Sequence, residues 1–66
     1  MPVITFEGEN LTKEQKTALI HGFTKTASEC TGIPDRFFSV VLHEQPGENL
    51  GFGGETVEEM KARLKK

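Results

Sequence analysis

Apolar residues recur along the chain with two different spacings, and each spacing predicts a different kind of element. Val3–Phe6 is a run of β-branched and aromatic residues typical of a strand, and Glu7–Asn10 has the composition of a turn. Apolar positions then repeat every three or four residues as far as Cys30, which is the spacing of an amphipathic helix. A last run, Phe37–His43, is almost continuously apolar, which predicts a second strand covered on both faces.

Capping residues define the ends of the predicted helix. Thr12 and Gln15 have the spacing of a capping box, in which each side chain bonds the other residue's backbone amide. Gly32 supplies a stop and Pro34 follows it, so we expect a helix from Thr12 to Thr31, about 30 Å long. Its apolar face is formed by Leu19, Phe23, Thr26 or Ala27, and Cys30.

The rest of the chain predicts two further small elements. Strand, long helix and strand make a βαβ unit, and the right-handed rule for such crossovers makes the two strands parallel. Gln45–Gly54 is rich in glycine, with Leu50 and Phe52 alternating with glycines as in a short hairpin. Thr56–Glu59 is a second capping box and begins a short helix that runs through Leu64.

Sixty-six residues are too few for a large core. A chain this short buries only about 60% of its unfolded surface, and apolar burial roughly cancels an ordering cost of ~1.5 kcal/mol per residue. His21, Cys30 and His43 lack the spacing of a zinc site, and Cys30 on the apolar helix face is interpreted as a core residue. We therefore expect residues 1–66 to form a single α+β domain whose sheet is completed by oligomerisation.

The charge balance argues against several classes of partner. Eight basic and ten acidic residues are interspersed, for a net charge of −2, so we expect no basic face for nucleic acid or an anionic membrane. No apolar run has the length of a membrane span, and no charged segment precedes an apolar one as in a secretory signal. The single free thiol favours a reducing, cytoplasmic location.

Candidate chemistry begins at Met1-Pro2. If Met1 is removed, Pro2 becomes the amino terminus and carries a secondary amine in place of an amide nitrogen. An α-amino group has a pKa of roughly 7.7–8, and an apolar pocket lowers it, which gives a base near neutrality at the start of a strand. The plainer alternative is a conformational role, because a strand's first residue does not need the N–H that proline lacks.

Other reactive side chains give weaker signals. Arg36 either grips a carboxylate in a two-pronged hydrogen bond or pairs with neighbouring Asp35, and the surface pair is the commoner arrangement. His43 ends the second strand, where a hydrogen bond to backbone is commoner than a pH-active role. Ser39 has no triad partners at a recognisable spacing, and Gly51–Gly54 lacks the lysine of a phosphate loop.

Taken in order along the chain, these features resemble the 4-oxalocrotonate tautomerase family of small tautomerases. No single motif is specific, but the combination covers nearly the whole chain. The matching segments are Met1-Pro2 before a short apolar strand, Leu11–Lys16 with Leu19-Ile20, Ser39–Glu44 and Asn49–Glu55.

The resemblance implies a fold, an assembly and a mechanism. Members of the family are βαβ subunits that pair into dimers with a four-stranded sheet, and three dimers commonly make a hexamer. The amino-terminal proline is the general base that moves a proton in a 2-hydroxydienoate or related enol or keto acid, without a metal or organic cofactor. Arginines hold the substrate's carboxylate and carbonyl ends, and an aromatic residue near the end of the chain keeps the proline's pocket apolar.

The sequence departs from this pattern in three places. It has Ser39 where the best-known members have an arginine in the second strand, and Leu50 where they have an aromatic residue. It has Asn10-Leu11 where they have an arginine ahead of the first helix. By resemblance we assign Pro2 as the catalytic base, and the candidate substrate-binding residues are Arg36, Ser39, Leu50 and Phe52.

The leading hypothesis is a cytoplasmic, cofactor-free, hexameric tautomerase that acts on a small enol or keto acid. An alternative from a different class is a non-catalytic or promiscuous oligomeric protein that keeps the fold but has lost the substrate-binding arginines. A third is a hydrolytic or dehalogenating relative that uses a proline ammonium as general acid, although no carboxylate is clearly placed to activate water.

Overall fold

The computed structural model describes residues 1–65, which begin with a two-stranded parallel sheet joined by a long helix. These elements are, in chain order, strand β1 (Val3–Gly8), helix α1 (Lys13–Thr31) and strand β2 (Ser39–Glu44). The register runs from Val3 opposite Ser39 to Gly8 opposite Glu44, so both strands begin at one edge of the sheet and end at the other. The predicted βαβ unit with parallel strands is confirmed.

Both ends of α1 have the caps that the sequence predicts. Thr12 is the N-cap: its hydroxyl accepts from the Gln15 backbone N–H at 3.1 Å, and Gln15 Oε1 accepts from the Thr12 N–H at 2.9 Å. Gly32 ends the helix in the left-handed region, with φ of 79°, and its N–H donates to the Ser28 carbonyl. A residue with a Cβ is strained at that φ, which explains the glycine.

The first strand is longer than the sequence predicts. β1 continues through Gly8, so Glu7 and Gly8 lie in the sheet and the turn begins at Glu9. Their partners across the sheet are His43 and Glu44. Pairing with β2 therefore outweighs the low strand propensity of glutamate and glycine.

The second strand begins later than predicted. β2 begins at Ser39 and not at Phe37, because Asp35–Phe37 forms a single turn of 3₁₀ helix. In that turn the Phe37 N–H donates to the Pro34 carbonyl at 3.1 Å, and the Phe38 N–H donates to the turn's first carbonyl at 3.0 Å. Both amides are thus committed to the turn, which overrides the strand propensity of the two phenylalanines.

One face of the sheet is covered by α1 and the other is open. The helix-side face carries half-buried Ile4, Phe6, Val40 and Leu42. Phe6 lies against Phe23 of the helix, with 6.2 Å between ring centroids. On the opposite face Val3 is 62% exposed and Val41 is 39% exposed. The apolar run predicts that both faces of β2 are covered, but within the single chain this second face is not.

The helix extends past the sheet that it covers. Ala27 is half-buried and Thr26 exposed, so Ala27 is the member of that pair on the apolar face. The interpretation of Cys30 as a core residue is wrong for the single chain, in which its thiol is free and exposed. The reason is length, since a 19-residue helix is about 28 Å long and a six-residue strand about 20 Å.

The C-terminal segment forms the predicted hairpin and short helix. A 3₁₀ turn (Gly47–Asn49) leads into strand β3 (Gly51–Phe52), strand β4 (Glu55–Thr56) and helix α2 (Val57–Leu64). Gly53 and Gly54 have φ of 58° and 89°, and a two-residue type I′ turn requires positive φ at both positions. Thr56 caps α2, with Glu59 completing the capping box. Neither helix of the described residues combines the length and apolarity that a membrane span requires.

Acidic side chains join the elements at the edge where the strands end. Glu44 Oε2 accepts from the Leu11 N–H at 2.8 Å, and Glu44 Oε1 lies 2.9 Å from Lys16 Nζ. The Leu11 hydrogen bond, followed by the Lys16 contact, lowers the pKa of Glu44 below its ordinary value. Glu9 pairs with Lys61 at 2.6 Å and so ties α2 to the segment after β1.

The single chain has no interior of its own. Among residues 1–65 no residue is buried. The accessible surface is 5133 Å², against about 4,200 Å² expected for a compact monomer of this mass. The radius of gyration is 15.3 Å, against about 11 Å for a compact domain of this length. The apolar faces described above need further surface from outside the chain in order to be buried.

Replacing Glu44 with glutamine should destabilise the fold in a pH-dependent way. Because the folded-state pKa is lowered, the carboxylate adds stability above the ordinary carboxyl range, and that stability is lost as the pH falls through the lowered pKa. We expect Glu44→Gln to unfold at lower urea than the wild type near neutral pH. The difference should shrink as the pH falls below about 4.

The matched control is Glu48→Gln. Glu48 is an exposed carboxylate of the Gly47–Asn49 turn, and its side chain forms no hydrogen bond or ion pair with residues 1–65. Unfolding is compared at one protein concentration, because the midpoint of an oligomer depends on it. If the difference in urea midpoint between the wild type and Glu44→Gln stays constant across the pH range, the role given to the Glu44 carboxylate is contradicted.

Candidate active site

Pro2 lies directly before β1, at the edge where both strands begin. Its carbonyl accepts a hydrogen bond from the Ser39 N–H at 3.0 Å, so the backbone around it is held by β2. Exposure alternates without a break from Met1 to Gly8, and half-buried Pro2 is in phase with Ile4 on the helix side. Proline is tolerated here because no ladder partner needs its missing N–H.

Ser39 is the first residue of β2 and lies opposite Val3. That register places the Ser39 side chain on the open face, whereas Pro2 is in phase with the helix-side face. The two residues are therefore backbone neighbours whose side chains lie on opposite faces of the sheet. A serine hydroxyl donates one hydrogen bond but carries no charge.

Arg36 lies in the 3₁₀ turn that precedes β2 and is exposed. Its guanidinium carbon lies 4.7 Å from the centroid of the Phe37 ring, which is a cation–π contact. The expected surface pair with Asp35 is wrong, because Arg36 makes no such ion pair within residues 1–65. Because the chain bends here, strand alternation does not determine which side of the sheet Arg36 occupies.

Leu50 and Phe52 lie on the C-terminal hairpin, beyond the edge where β2 ends. Leu50 is half-buried and its carbonyl accepts from the Val57 N–H at 2.8 Å, whereas Phe52 is 68% exposed. A six-residue strand is about 20 Å long, so its two ends lie far apart. Within one chain, Arg36 and Ser39 accordingly share the edge of Pro2, and the two hairpin residues do not.

Phe38 also belongs to the edge of Pro2, and the sequence prediction missed it. It is half-buried and extended, and it directly precedes Ser39. The sequence prediction placed it inside a strand as one of several apolar residues. Its position beside Pro2 follows only from the register between β1 and β2, which the amino-acid pattern alone does not specify.

The two histidines lie away from Pro2. The expected hydrogen bond from His43 to backbone is wrong, since His43 Nδ1 lies 3.1 Å from Oε2 of Glu7, its partner across the sheet. His21 is exposed on α1. A pocket of about 400 Å³ between β1 and α1 is likewise separate from the predicted site residues, and it is lined by Phe6, Leu11, Gln15, Ala18 and Leu19.

A βαβ unit with a proline at the start of its first strand, followed by a hairpin and a short helix, defines the class of small tautomerase-fold subunits. The chain belongs to the tautomerase family: the model of the tautomerase enzymes matches residues 2–60. Within that family it belongs to the 4-oxalocrotonate tautomerases, as the sequence resemblance implies. It is therefore an isomerase of the tautomerase type.

Individual relatives agree with this assignment over nearly the full length. A probable tautomerase of Campylobacter jejuni is 35% identical across the whole of both chains. The solved structure of an unfused 4-OT in its apo form has a TM-score of 0.84 and 32% identity, covering 88% of this chain and 97% of that one. TomN is a 4-oxalocrotonate tautomerase homologue of the tomaymycin biosynthetic pathway. Its structure has a TM-score of 0.89 and 29% identity, and the match covers 92% of this chain and 95% of TomN.

Gly51→Ala should distort the hairpin that presents Leu50 and Phe52. A Cβ at Gly51 would lie 2.9 Å from the Glu55 carbonyl oxygen, closer than real contacts allow, so β3 and β4 have to separate. We expect a loss of about 1–3 kcal/mol in the free energy of unfolding, typical of overpacking. Denaturant unfolding at fixed protein concentration measures it.

Gly22→Ala is the matched control, because a Cβ at Gly22 meets nothing within 4 Å and the position lies inside α1. Alanine favours helix over glycine by roughly 1 kcal/mol, so this variant should be more stable than the wild type. Equal effects of the two substitutions would show that the contact with Glu55 does not constrain the hairpin.

Proposed function

We propose that the chain is a cofactor-independent tautomerase of small 2-hydroxydienoate or 2-oxo acids, with the amine of Pro2 as general base once Met1 is removed. The observation that carries the proposal is the placement of Pro2. It lies at the start of β1, where the Ser39 N–H fixes its carbonyl, and the family match begins at this residue. A base needs such a fixed position to reach one proton of a bound substrate.

The proposed reaction is an intramolecular proton transfer. The free amine takes a proton from the carbon next to the substrate's carbonyl, or from the hydroxyl of the enol form. The electron pair moves into the conjugated system, and the resulting ammonium returns the proton to another atom of that system. The substrate thus isomerises without gain or loss of atoms. An amine with a pKa near the working pH serves in both halves of the reaction.

Arg36 is the proposed anchor of the substrate's carboxylate. Its guanidinium carbon lies 4.7 Å from the Phe37 ring centroid, and it forms no ion pair within residues 1–65, so its N–H groups are available for a two-pronged hydrogen bond to a carboxylate. Ser39 is proposed to donate a hydrogen bond to the oxygen that becomes negative during proton transfer. A hydrogen bond from a neutral donor is about half as strong as one from a charged donor. Ser39 therefore stabilises the negative oxygen less than an arginine at this position would.

The proposed assembly is a homohexamer made of three dimers. The support is the open face of the sheet, with exposed Val3 and Val41, together with the absence of buried residues among positions 1–65. In such an assembly a neighbouring chain brings Leu50 and Phe52 to the edge of Pro2. The same neighbour relation lets Ser39 serve a Pro2 other than its own, since the two side chains of one chain lie on opposite faces.

The second candidate function is a non-catalytic or promiscuous oligomer that keeps the fold. The observation that favours it is Ser39, a neutral residue in place of the arginine that the resemblance implies. The two candidates differ in one measurable property. A catalytic protein has a Pro2 amine that titrates near neutral pH, and turnover depends on that amine.

Retaining Met1 should abolish most of the activity, because it turns the Pro2 nitrogen into an amide without a basic lone pair. General-base catalysis contributes roughly 10²–10⁴-fold, so we expect kcat/KM for phenylenolpyruvate to fall by at least about 10²-fold. Mass spectrometry identifies the Met1-free and Met1-retaining proteins. Pro2→Ala should also lower kcat, since it replaces the rigid secondary amine with a flexible primary one.

Pro46→Ala is the control for the proline substitution. Pro46 is exposed and precedes the Gly47–Asn49 turn, at the edge of the sheet away from Pro2. It should keep wild-type activity. Wild-type turnover by both Pro2→Ala and the Met1-retaining protein would refute the catalytic role of Pro2.

Val41→Glu should break up the proposed hexamer, because it places a charge on the open face of the sheet without a partner for it. Sedimentation equilibrium of the wild type should give a mass of six chains, and the variant a smaller mass. Lys25→Glu, on the exposed side of α1, places the same carboxylate on a surface outside this face and should leave the mass unchanged. A wild-type mass other than six chains would exclude the trimer of dimers.

A further inference from the structure

Phe38 and Pro2 occupy equivalent places on adjacent strands. The Ser39 N–H donates to the Pro2 carbonyl at 3.0 Å, and Ser39 lies opposite Val3. Moving one residue back along both parallel strands brings Phe38 opposite Pro2. Phe38 has the extended φ and ψ of −91° and 143° that this continuation requires. Adjacent strands lie about 4.8 Å apart, so the two backbones are in contact range.

The side chains of this pair lie on the same face of the sheet. Phe38 is in phase with Val40 and Pro2 is in phase with Ile4, and all four residues are half-buried. Val40 and Ile4 are themselves partners in the sheet, on the side that α1 covers. The Phe38 ring is therefore an apolar neighbour that a single chain provides for Pro2.

We propose that Phe38 is a positioning residue that surrounds the amine of Pro2 with apolar surface from within its own chain. The inference rests on the proposed role of Pro2 as a base. An apolar neighbour excludes water and disfavours the charged ammonium, so it lowers the pKa of the amine toward neutrality. Leu50 and Phe52 do not supply this surface within one chain, because the hairpin lies beyond the opposite edge of the sheet.

Few charged side chains lie where they could also shift the pKa of the Pro2 amine. The turn before β2 carries Asp35 and Arg36, both exposed, and Ser39 at the start of β2 is uncharged. In the half of α1 nearest to this edge, Lys25 and Glu29 are exposed and out of phase with the sheet-facing residues. All four of these charged side chains are exposed, where water and salt screen their effect on the amine, whereas the Phe38 ring adjoins it.

Nitrogen NMR titration of the Pro2 amine in Met1-free protein tests the inference. Phe38→Ala should raise the pKa of the amine by about one unit, toward the ordinary 7.7–8 of an α-amino group. Phe38→Leu keeps an apolar side chain and should stay near the wild-type value. Phe37→Ala removes the neighbouring ring that packs on Arg36 and should shift the amine much less than Phe38→Ala.

The pH dependence of turnover supplies a second readout. In the pH profile of kcat/KM, the acidic side should shift to higher pH in Phe38→Ala, by the same amount as the pKa measured by NMR. The reason is that the free amine is the reactive form. A merely structural role for Phe38 would lower the rate without shifting this side of the profile. Sedimentation of each variant verifies that the assembly is intact.

Two results would overturn the inference. One is an unchanged pKa in a correctly assembled Phe38→Ala protein, and the other is a rise produced by Phe52→Ala but not by Phe38→Ala. If Phe38→Ala does not assemble, Phe38→Val is used, and it should give a smaller rise, with no rise again counting against the proposal. The NMR titration does not require turnover. An inactive protein whose amine still responds to Phe38 would refute the proposed function but not this inference.

Discussion

The half-covered sheet is the constraint on which the rest of the structure depends. α1 packs on one face through Phe6 and Phe23, while Val3 and Val41 on the other face remain exposed to water in the single chain. Burying one such side chain contributes roughly 1.5–3 kcal/mol, and no residue among positions 1–65 is fully buried. The chain thus acquires a core only when another surface covers the open face, so folding and association are linked.

The same constraint separates the parts of the candidate site. Parallel strands put Pro2, Phe38 and the turn that holds Arg36 at one edge, and the chain leaves the sheet toward its hairpin at the other. Contacts through Glu44 and Glu9 fix α1 and α2 at this second edge. In the proposed assembly, the site around Pro2 therefore combines the starting edge of one chain with surface from a neighbouring chain.

Local sequence rules predicted the elements well, because their causes are local. Both capping boxes, the glycine that ends α1 and the glycine-rich hairpin act within a few residues, and the structure shows each of them. The errors concern properties that depend on distant residues. His43 bonds Glu7 because of strand register, and Cys30 is exposed because α1 is longer than the sheet. The proposal that Pro2 is a base came from the family resemblance.

The most consequential error concerns the turn before β2. An uninterrupted strand from Phe37 to His43 would have put Arg36 at the strand's entrance, on a face set by alternation. The 3₁₀ turn instead commits the Phe37 and Phe38 amides to the carbonyls of Pro34 and Asp35, and the strand begins two residues later than predicted, at Ser39. Because of that single turn, the side-chain alternation of a strand does not apply to Arg36, and Phe38 is extended beside Pro2. The proposed carboxylate anchor and the proposed apolar neighbour of the Pro2 amine thus have one structural origin, and changes in the turn will affect both together.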